Sequence, residues 1–133
     1  MDTSTKQLIV SKLCKTLDLG VNGNLFGGRL LEWLDEAGAI FAYKQVRGYV
    51  VTVKVSEVLF KVPVHERDII DIMGRVKHVG TTSLTLEIDA VNARNDTLVC
   101  SCEIVYVRVN DKNEPSPIAD DTRMMIKARF GIT

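Results

Sequence analysis

Residues 22–38 read NGNLFGGRLLEWLDEAG, and this stretch decides the fold. Its first residues favour a turn, and from Phe26 onward an apolar pattern predicts a helix that runs to about Val46. At about 100° per residue, the charged side chains share one narrow arc of that helix, namely Arg29, Glu32 and Glu36. A helix that is otherwise apolar must be covered on most sides, so we expect a curved sheet to wrap around it.

The rest of the chain alternates β-branched and polar residues as strands do. Strands are predicted over residues 6–16, 49–60, 68–79, 83–92 and 97–109, although the first also has helical spacing. Short connections favour antiparallel neighbours, so the last four strands should form a meander. Gly74 is expected to mark a bulge or a close approach of the backbone. The predicted class is α+β: a long central helix wrapped by a curved antiparallel sheet of about five strands.

Length and composition restrict the classes of function. The 133 residues fit one domain, 1–133, in which residues 110–133 form a C-terminal tail. Lysine plus arginine equals aspartate plus glutamate at 17 each, which argues against nucleic acid or a membrane surface as a partner. No apolar run approaches the roughly 20 residues that span a bilayer, and we expect no signal peptide.

The three cysteines indicate a reducing compartment. Cys14, Cys100 and Cys102 form no paired framework, so a cytoplasmic protein is expected. Cys100 and Cys102 share one face of a strand, where burial as small apolar side chains is favoured over metal ligation. His65 and His78 do not complete the spacing of a zinc site, so no metal is predicted.

Asp35 lies two turns inside the apolar helix and outside its charged arc. Two interpretations are open: a partly exposed carboxylate paired with a basic neighbour, or a general base or nucleophile beside an apolar wall. Gly27 and Gly28 favour the second, because helix-start amides without side chains can hold a carbonyl oxygen that gains negative charge. Asn24 can serve as a helix cap, as a turn residue or as an amide that positions water.

The stretch GNLFGGRLLEWLDEAG resembles the signature of the hotdog-fold acyl-CoA thioesterases, in particular the YciA-type hydrolases and the related cytosolic long-chain enzymes. The similarity continues through the segments that begin at Val50, Phe60 and Gly80, and it spans roughly residues 6–109. The resemblance implies hydrolysis of acyl-CoA to a free acid and coenzyme A, with no cofactor besides the substrate. It also implies homodimers in which two sheets become one, often assembled as trimers of dimers.

The same resemblance implies roles for individual residues. Asp35 matches the catalytic carboxylate, and Asn24 matches an asparagine that assists catalysis from across the dimer. Gly27 or Gly28 matches the amide that polarises the thioester carbonyl. The family's segment beside the bound coenzyme A is matched here by Gly80, Thr81, Thr82 and Ser83. These four residues also suit an ordinary hairpin turn. Where relatives usually have Gly-Asp, this chain has Arg67-Asp68, which should alter a turn.

Two other functions are compatible with a hotdog chain. A dehydratase needs a histidine in its site, and His65 and His78 lie outside the helix motif. A non-catalytic acyl-CoA-sensing module with the same pocket is the main alternative, although the chain offers no basic helix for DNA. The basic residues that hold the phosphates of the coenzyme are left open, with these candidates: Arg75, Lys77, Lys127 and Arg129.

Overall fold

A computed structural model describes residues 6–133, so that residues 1–5 of the predicted domain lie outside the described part. The elements in chain order are β1 (Gln7–Leu13), α1 (Gly27–Val46), β2 (Val50–Phe60), β3 (Ile69–Val79), β4 (Ser83–Asn92), β5 (Thr97–Arg108) and α2 (Asp120–Phe130). A 3-10 turn at Thr16–Asp18 stands between β1 and α1. Of the two patterns open for residues 6–16, the strand is confirmed, as are the helix and the four long strands.

The five strands form one antiparallel sheet in the order β1-β3-β4-β5-β2. Strands β3, β4 and β5 make the expected meander. Strand β2 pairs with β5 rather than with β3, so the prediction of a four-strand meander is wrong. The α+β class and the five-strand antiparallel sheet are confirmed.

The connection between β2 and β3 explains this strand order. Its start is tied to β5, since the Lys61 amide donates to the Val99 carbonyl at 2.8 Å. Its end is tied to the residue after β1, since the Cys14 amide donates to the Asp68 carbonyl at 2.9 Å. The connection contains Pro63, and it crosses from one edge of the sheet to the other instead of turning back.

Helix α1 packs its apolar surface against one face of the sheet. Its large buried side chains are Leu30, Trp33, Leu34, Phe41 and Val46. They join the inward residues of the strands in one core, among them Ile72, Val76, Leu86, Ile88 and Ile104. Each buried side chain of this size contributes roughly 1.5–3 kcal/mol relative to an exposed one. The helix ends where Arg47 adopts a left-handed conformation with φ 57°.

The C-terminal tail contains a helix, α2, that the sequence analysis missed. Ile126 of this helix is buried, and the ring of Phe130 meets Phe41 edge-on with centroids 6.1 Å apart. Arg129 Nη1 donates to Gln45 Oε1 of α1 at 2.6 Å. The apolar residues of α2 are too few to give a clear helical period, so docking on α1 is what stabilises it.

The backbone tests two predictions, one for Gly74 in β3 and one for the turn at Arg67. Gly74 is a close-approach point, because an added Cβ would lie 2.9 Å from Ile9 Cδ1, while the irregularity in β3 falls between Val76 and His78. Arg67 adopts a left-handed φ of 77°, a conformation that favours glycine. Arg67 thus occupies a backbone conformation that a glycine would adopt without strain.

Candidate active site

The start of α1 presents two backbone amides without a partner. Phe26 is the N-cap and no side chain caps the helix. Within residues 6–133, the amides of Gly27 and Gly28 have no hydrogen-bond acceptor. An added Cβ at Gly28 would lie 2.7 Å from Phe26 Cε2, so the glycine makes room for that ring. The helix dipole adds partial positive charge at these amides, which suits an oxygen that becomes negative.

Asn24 lies beside this helix start. Its backbone carbonyl accepts from the Gly20 amide at 2.7 Å, which closes the turn before α1. Its side-chain amide has no hydrogen-bond partner in the part of the chain that the structure describes. Asn24 is thus a turn residue with a free side chain and not the helix cap. Together with Gly27, it borders a cavity of about 290 Å³ whose other walls include Leu30, Phe60, Val62 and Val64.

Asp35 is half-buried on the side of α1 that faces β2 and β5. The hydroxyl of Thr52 donates to Asp35 Oδ1 at 2.8 Å, and the hydroxyl of Tyr106 donates to the same oxygen at 3.0 Å. Oδ2 receives no hydrogen bond from any described residue. No basic side chain among residues 6–133 forms an ion pair with Asp35, which removes the ion-pair interpretation. The carboxylate is fixed through one oxygen and free at the other.

Tyr106 reaches Asp35 because Gly38 leaves a gap in the helix surface. Tyr106 is fully buried, and its hydroxyl also lies 3.0 Å from the backbone carbonyl of Asp35. A Cβ at Gly38 would collide with this hydroxyl and would lie 3.0 Å from Cζ. Burial, followed by the charge of Asp35 and the hydrogen bond to it, raises the pKa of Tyr106. The hydroxyl therefore keeps its proton and acts as a donor to Asp35.

Asp35 lines a mostly apolar cavity of about 260 Å³. Its walls come from α1, β2 and β5: Leu31, Glu32, Leu34, Val55, Cys102 and Ile104. Burial raises the pKa of the Cys102 thiol to about 12, so this thiol is protonated and unreactive at neutral pH. The other carboxylate at this cavity, Glu32, is exposed and accepts from Arg29 Nη1 at 2.7 Å, so Asp35 is the carboxylate without an ionic partner among the described residues that can act as base or nucleophile.

One chain does not bring Asp35 and Asn24 together. Gly27 and Asp35 are eight residues apart on α1, which is roughly 12 Å along the helix axis. The cavity at Asn24 and Gly27 and the cavity at Asp35 share no lining residue. Each chain thus holds two separate halves of the predicted site.

The sequence as a whole matches a known family. A family model described as the thioesterase superfamily matches residues 22–100, which include α1 and strands β2 to β4. This chain belongs to the thioesterase superfamily. The resemblance seen in the stretch from Gly23 to Gly38 is therefore confirmed at the level of the family.

Individual members of the thioesterase superfamily are similar over most of their length. Acyl-CoA thioester hydrolase YciA of Salmonella typhimurium is 35% identical over 124 residues, which cover 88% of this chain and 93% of that protein. Cj0915, a hexameric hotdog fold thioesterase of Campylobacter jejuni, is 30% identical with a TM-score of 0.80, covering 89% of this chain and 94% of that one. The hexameric thioesterase y2039 from Yersinia pestis is 29% identical with a TM-score of 0.81, covering 86% and 96%. The fold is the hotdog fold.

In this thioesterase-superfamily chain, the predicted coenzyme A segment forms the turn between β3 and β4. The Gly80 amide donates to the Ser83 carbonyl at 2.8 Å, which closes the turn. The carbonyls of Thr81 and Thr82 accept from the amides of Ile118 and Arg108, both at 2.8 Å. The turn thus joins the end of β5 to the C-terminal tail, at the opposite end of β5 from the β4–β5 turn.

Two residues at Asp35 were missed by sequence reasoning. Thr52 reads as one polar position in a strand, and Tyr106 reads as a core residue. Gly38, a glycine in the middle of a helix, was the one available indication that another group approaches α1 closely. Among residues 6–133 there is no cluster of three or more His, Cys, Asp or Glu that could hold a metal ion. Neither described helix is long and apolar enough to cross a membrane.

Proposed function

We propose that this chain hydrolyses acyl-CoA thioesters to a free carboxylic acid and coenzyme A. The observation that carries the proposal is the Asp35 carboxylate, which lines an apolar cavity and which Thr52 and Tyr106 fix through Oδ1, while Oδ2 accepts no hydrogen bond from a described residue. Family membership supports it, as do relatives that are named acyl-CoA thioester hydrolases. The reaction needs no metal or cofactor, because water supplies the oxygen and the thiol leaves with a proton.

In the proposed mechanism the thioester carbonyl lies at the start of α1. The free amide of Gly27 or Gly28 stabilises the oxygen of the carbonyl as it becomes negative. Asp35 Oδ2 either removes a proton from the attacking water or attacks the carbonyl carbon itself, with water then cleaving the anhydride. Asn24 positions the water or the carbonyl through its free side-chain amide. The turn Gly80–Ser83 lies beside the coenzyme A part of the substrate.

A homodimer completes this site. Strand β2 is an edge strand that pairs with β5 alone among the described strands, and several of its apolar side chains are exposed, among them Val51, Val53 and Val55. A long apolar strand edge of this kind pairs readily with another strand. Pairing of β2 with β2 of a second copy extends the sheet and brings Asn24 and Gly27 of one chain toward Asp35 of the other. By analogy with the hexameric relatives, we propose a trimer of such dimers.

The cysteines and the net charge support a proposed compartment and proposed partners. The three cysteines are free and buried, which supports a reducing compartment such as the cytoplasm. The balanced charge supports neither nucleic acid nor a membrane as a partner. The partner molecules are therefore the acyl-CoA substrate and further copies of the chain.

A thiol-release assay with acyl-CoAs of graded chain length tests the activity. The wild type should turn over, and Asp35→Ala should lose at least a hundredfold in kcat while remaining folded by circular dichroism. Full activity in Asp35→Ala refutes the catalytic assignment. A wild type that binds acyl-CoA without releasing thiol supports the sensing module instead.

Subunit mixing tests whether the site spans the dimer. Asp35→Ala and Asn24→Ala chains, each inactive alone, are unfolded together and refolded as mixed dimers. If the site spans the dimer, a mixed dimer contains one site with both Asp35 and Asn24 intact, and activity returns. If each site lies within one chain, mixing restores nothing.

A further inference from the structure

Arg108, at the end of β5, carries a charge that no carboxylate among residues 6–133 compensates. Its Nη1 donates to the Ser116 hydroxyl at 2.8 Å and to the Pro117 carbonyl at 3.4 Å, which are both neutral. Its Nε is buried and has no acceptor among residues 6–133. The other buried Nε of this kind, in Arg29, lies 3.3 Å from the carboxylate of Asp18, whereas Arg108 forms no ion pair with any described residue. A guanidinium that has no carboxylate partner can pair with an anionic ligand.

The side chain of Arg108 fills a space beside Gly48, and its backbone is bonded to the predicted coenzyme A segment. A Cβ at Gly48 would lie 2.6 Å from Arg108 Nε, so the side chain occupies room that only a glycine leaves. The backbone amide of Arg108 donates to the carbonyl of Thr82 in the turn between β3 and β4. Arg108 is thus joined directly to the turn that the proposed function places beside the substrate.

Arg108 lies on the same face of β5 as Tyr106, whose hydroxyl donates to Asp35. It follows Tyr106 by two residues, and alternate residues of a strand share one face. Gly38, which adjoins Tyr106, lies eight residues before the end of α1 at Val46, or roughly 12 Å along the helix, and Gly48, which adjoins Arg108, follows two residues later. The pantetheine arm of coenzyme A separates the thioester from the phosphates by an extended chain of comparable length.

Three of the four cations that the sequence offers for phosphate are already engaged, whereas Lys127 of α2 has no ion pair among the described residues and no hydrogen bond to the predicted coenzyme A turn. Arg75 pairs with Glu87 and Lys77 pairs with Glu103, on the face of the sheet opposite α1. Arg129 donates to Gln45, between the two helices. Among the arginines named here, Arg108 is the one that combines a missing acceptor with contact to the predicted coenzyme A turn.

We propose that Arg108 binds a phosphate group of the coenzyme A part of the substrate, an inference that rests on the proposed function. Nε is enclosed beside Gly48, and Nη2 is the remaining nitrogen of the guanidinium, which neither Ser116 nor Pro117 uses. A phosphate oxygen can accept a charge-assisted hydrogen bond from Nη2. The bond to Ser116 then holds the guanidinium in place between β5 and the C-terminal tail.

The test compares two thioesters with the same acyl group, one on coenzyme A and one on pantetheine, which has no phosphate. Arg108→Gln should raise KM for the acyl-CoA about tenfold or more and leave its kcat within about twofold. KM for the acyl-pantetheine should stay unchanged. Added salt should raise KM for acyl-CoA in the wild type more than in the variant.

Two control variants separate phosphate binding from support of the tail. Arg94→Gln removes an exposed arginine that pairs with Asp68, and it should leave both KM values unchanged. Ser116→Ala removes the hydroxyl but keeps the charge of Arg108, and it should retain the preference for acyl-CoA. Equal changes for both substrates in Arg108→Gln, or no change for either, overturn the proposal.

The outcome also distinguishes this inference from the proposed function. If the wild type hydrolyses neither thioester, the proposed function fails, and calorimetric binding of desulfo-coenzyme A tests Arg108 by itself. About tenfold weaker binding by Arg108→Gln supports the phosphate site. Equal binding by the two proteins refutes it.

Discussion

Replacing Gly38 with alanine should reduce both stability and activity, because Tyr106 occupies the space of the missing side chain. The added Cβ would collide with the Tyr106 hydroxyl, which is fully buried and cannot move into solvent. Alanine gains about 1 kcal/mol over glycine in helix propensity. Overpacking a buried site costs roughly 1–3 kcal/mol. The free energy of unfolding should therefore fall by about 1 kcal/mol, the opposite sign from an ordinary glycine-to-alanine change in a helix.

The activity should fall for a separate reason. The collision displaces the hydroxyl from Asp35 Oδ1, and a hydrogen bond to a charged group is worth about 1.5–3 kcal/mol. A loss of that size in the transition state lowers kcat about tenfold or more. Urea denaturation at one fixed protein concentration gives the stability, and thiol release from acyl-CoA gives kcat and KM.

A double-mutant cycle with Tyr106→Phe provides the decisive comparison. Without the hydroxyl, the new Cβ meets only ring carbons, of which the nearest in the wild type is Cζ at 3.0 Å. Gly38→Ala should then be neutral or slightly stabilising in the Tyr106→Phe background, and kcat should fall no further than in Tyr106→Phe alone. The same change in unfolding free energy in both backgrounds would refute the steric argument.

Three further outcomes are expected. Thr52→Val should lower kcat about tenfold by removing a donor to Asp35, and Thr52→Ser should recover most of it in the same thiol-release assay. Arg67→Gly should raise the urea midpoint by the equivalent of about 1 kcal/mol, because the φ of 77° is strained for arginine; no rise would mean that this turn carries no strain. Burial raises the pKa of the Cys102 thiol from 9.0 to about 12, so the unfolded thiol ionises in that interval while the folded one keeps its proton. The free energy of unfolding should accordingly fall as the pH rises from 9.0 to about 12, and more gently in Cys102→Ala; an unchanged slope would contradict the buried thiol.

The sequence by itself determined the helix and the strands whose apolar residues recur at a fixed period. The apolar pattern from Phe26 to Val46 predicted α1 and its need for a surrounding sheet, because periodicity records which sides of an element are buried. The alternating segments gave the four long strands for the same reason. Asp35 stood out as a carboxylate outside the charged arc of that helix. All of these features depend on residues that are close together in the chain.

Only the tertiary structure decided which distant residues meet. Strand β2 pairs with β5 because the connection after it crosses the sheet, and no local pattern encodes that choice. Thr52 and Tyr106 converge on Asp35 from 17 and 71 residues away. The Nε of Arg108 likewise becomes buried without a carboxylate partner among the described residues, because Gly48 lets the side chain pack against it and Ser116 of the tail binds Nη1. Packing across the fold sets such contacts, and a single sequence records only the small residues, Gly38 and Gly48, that make room for them.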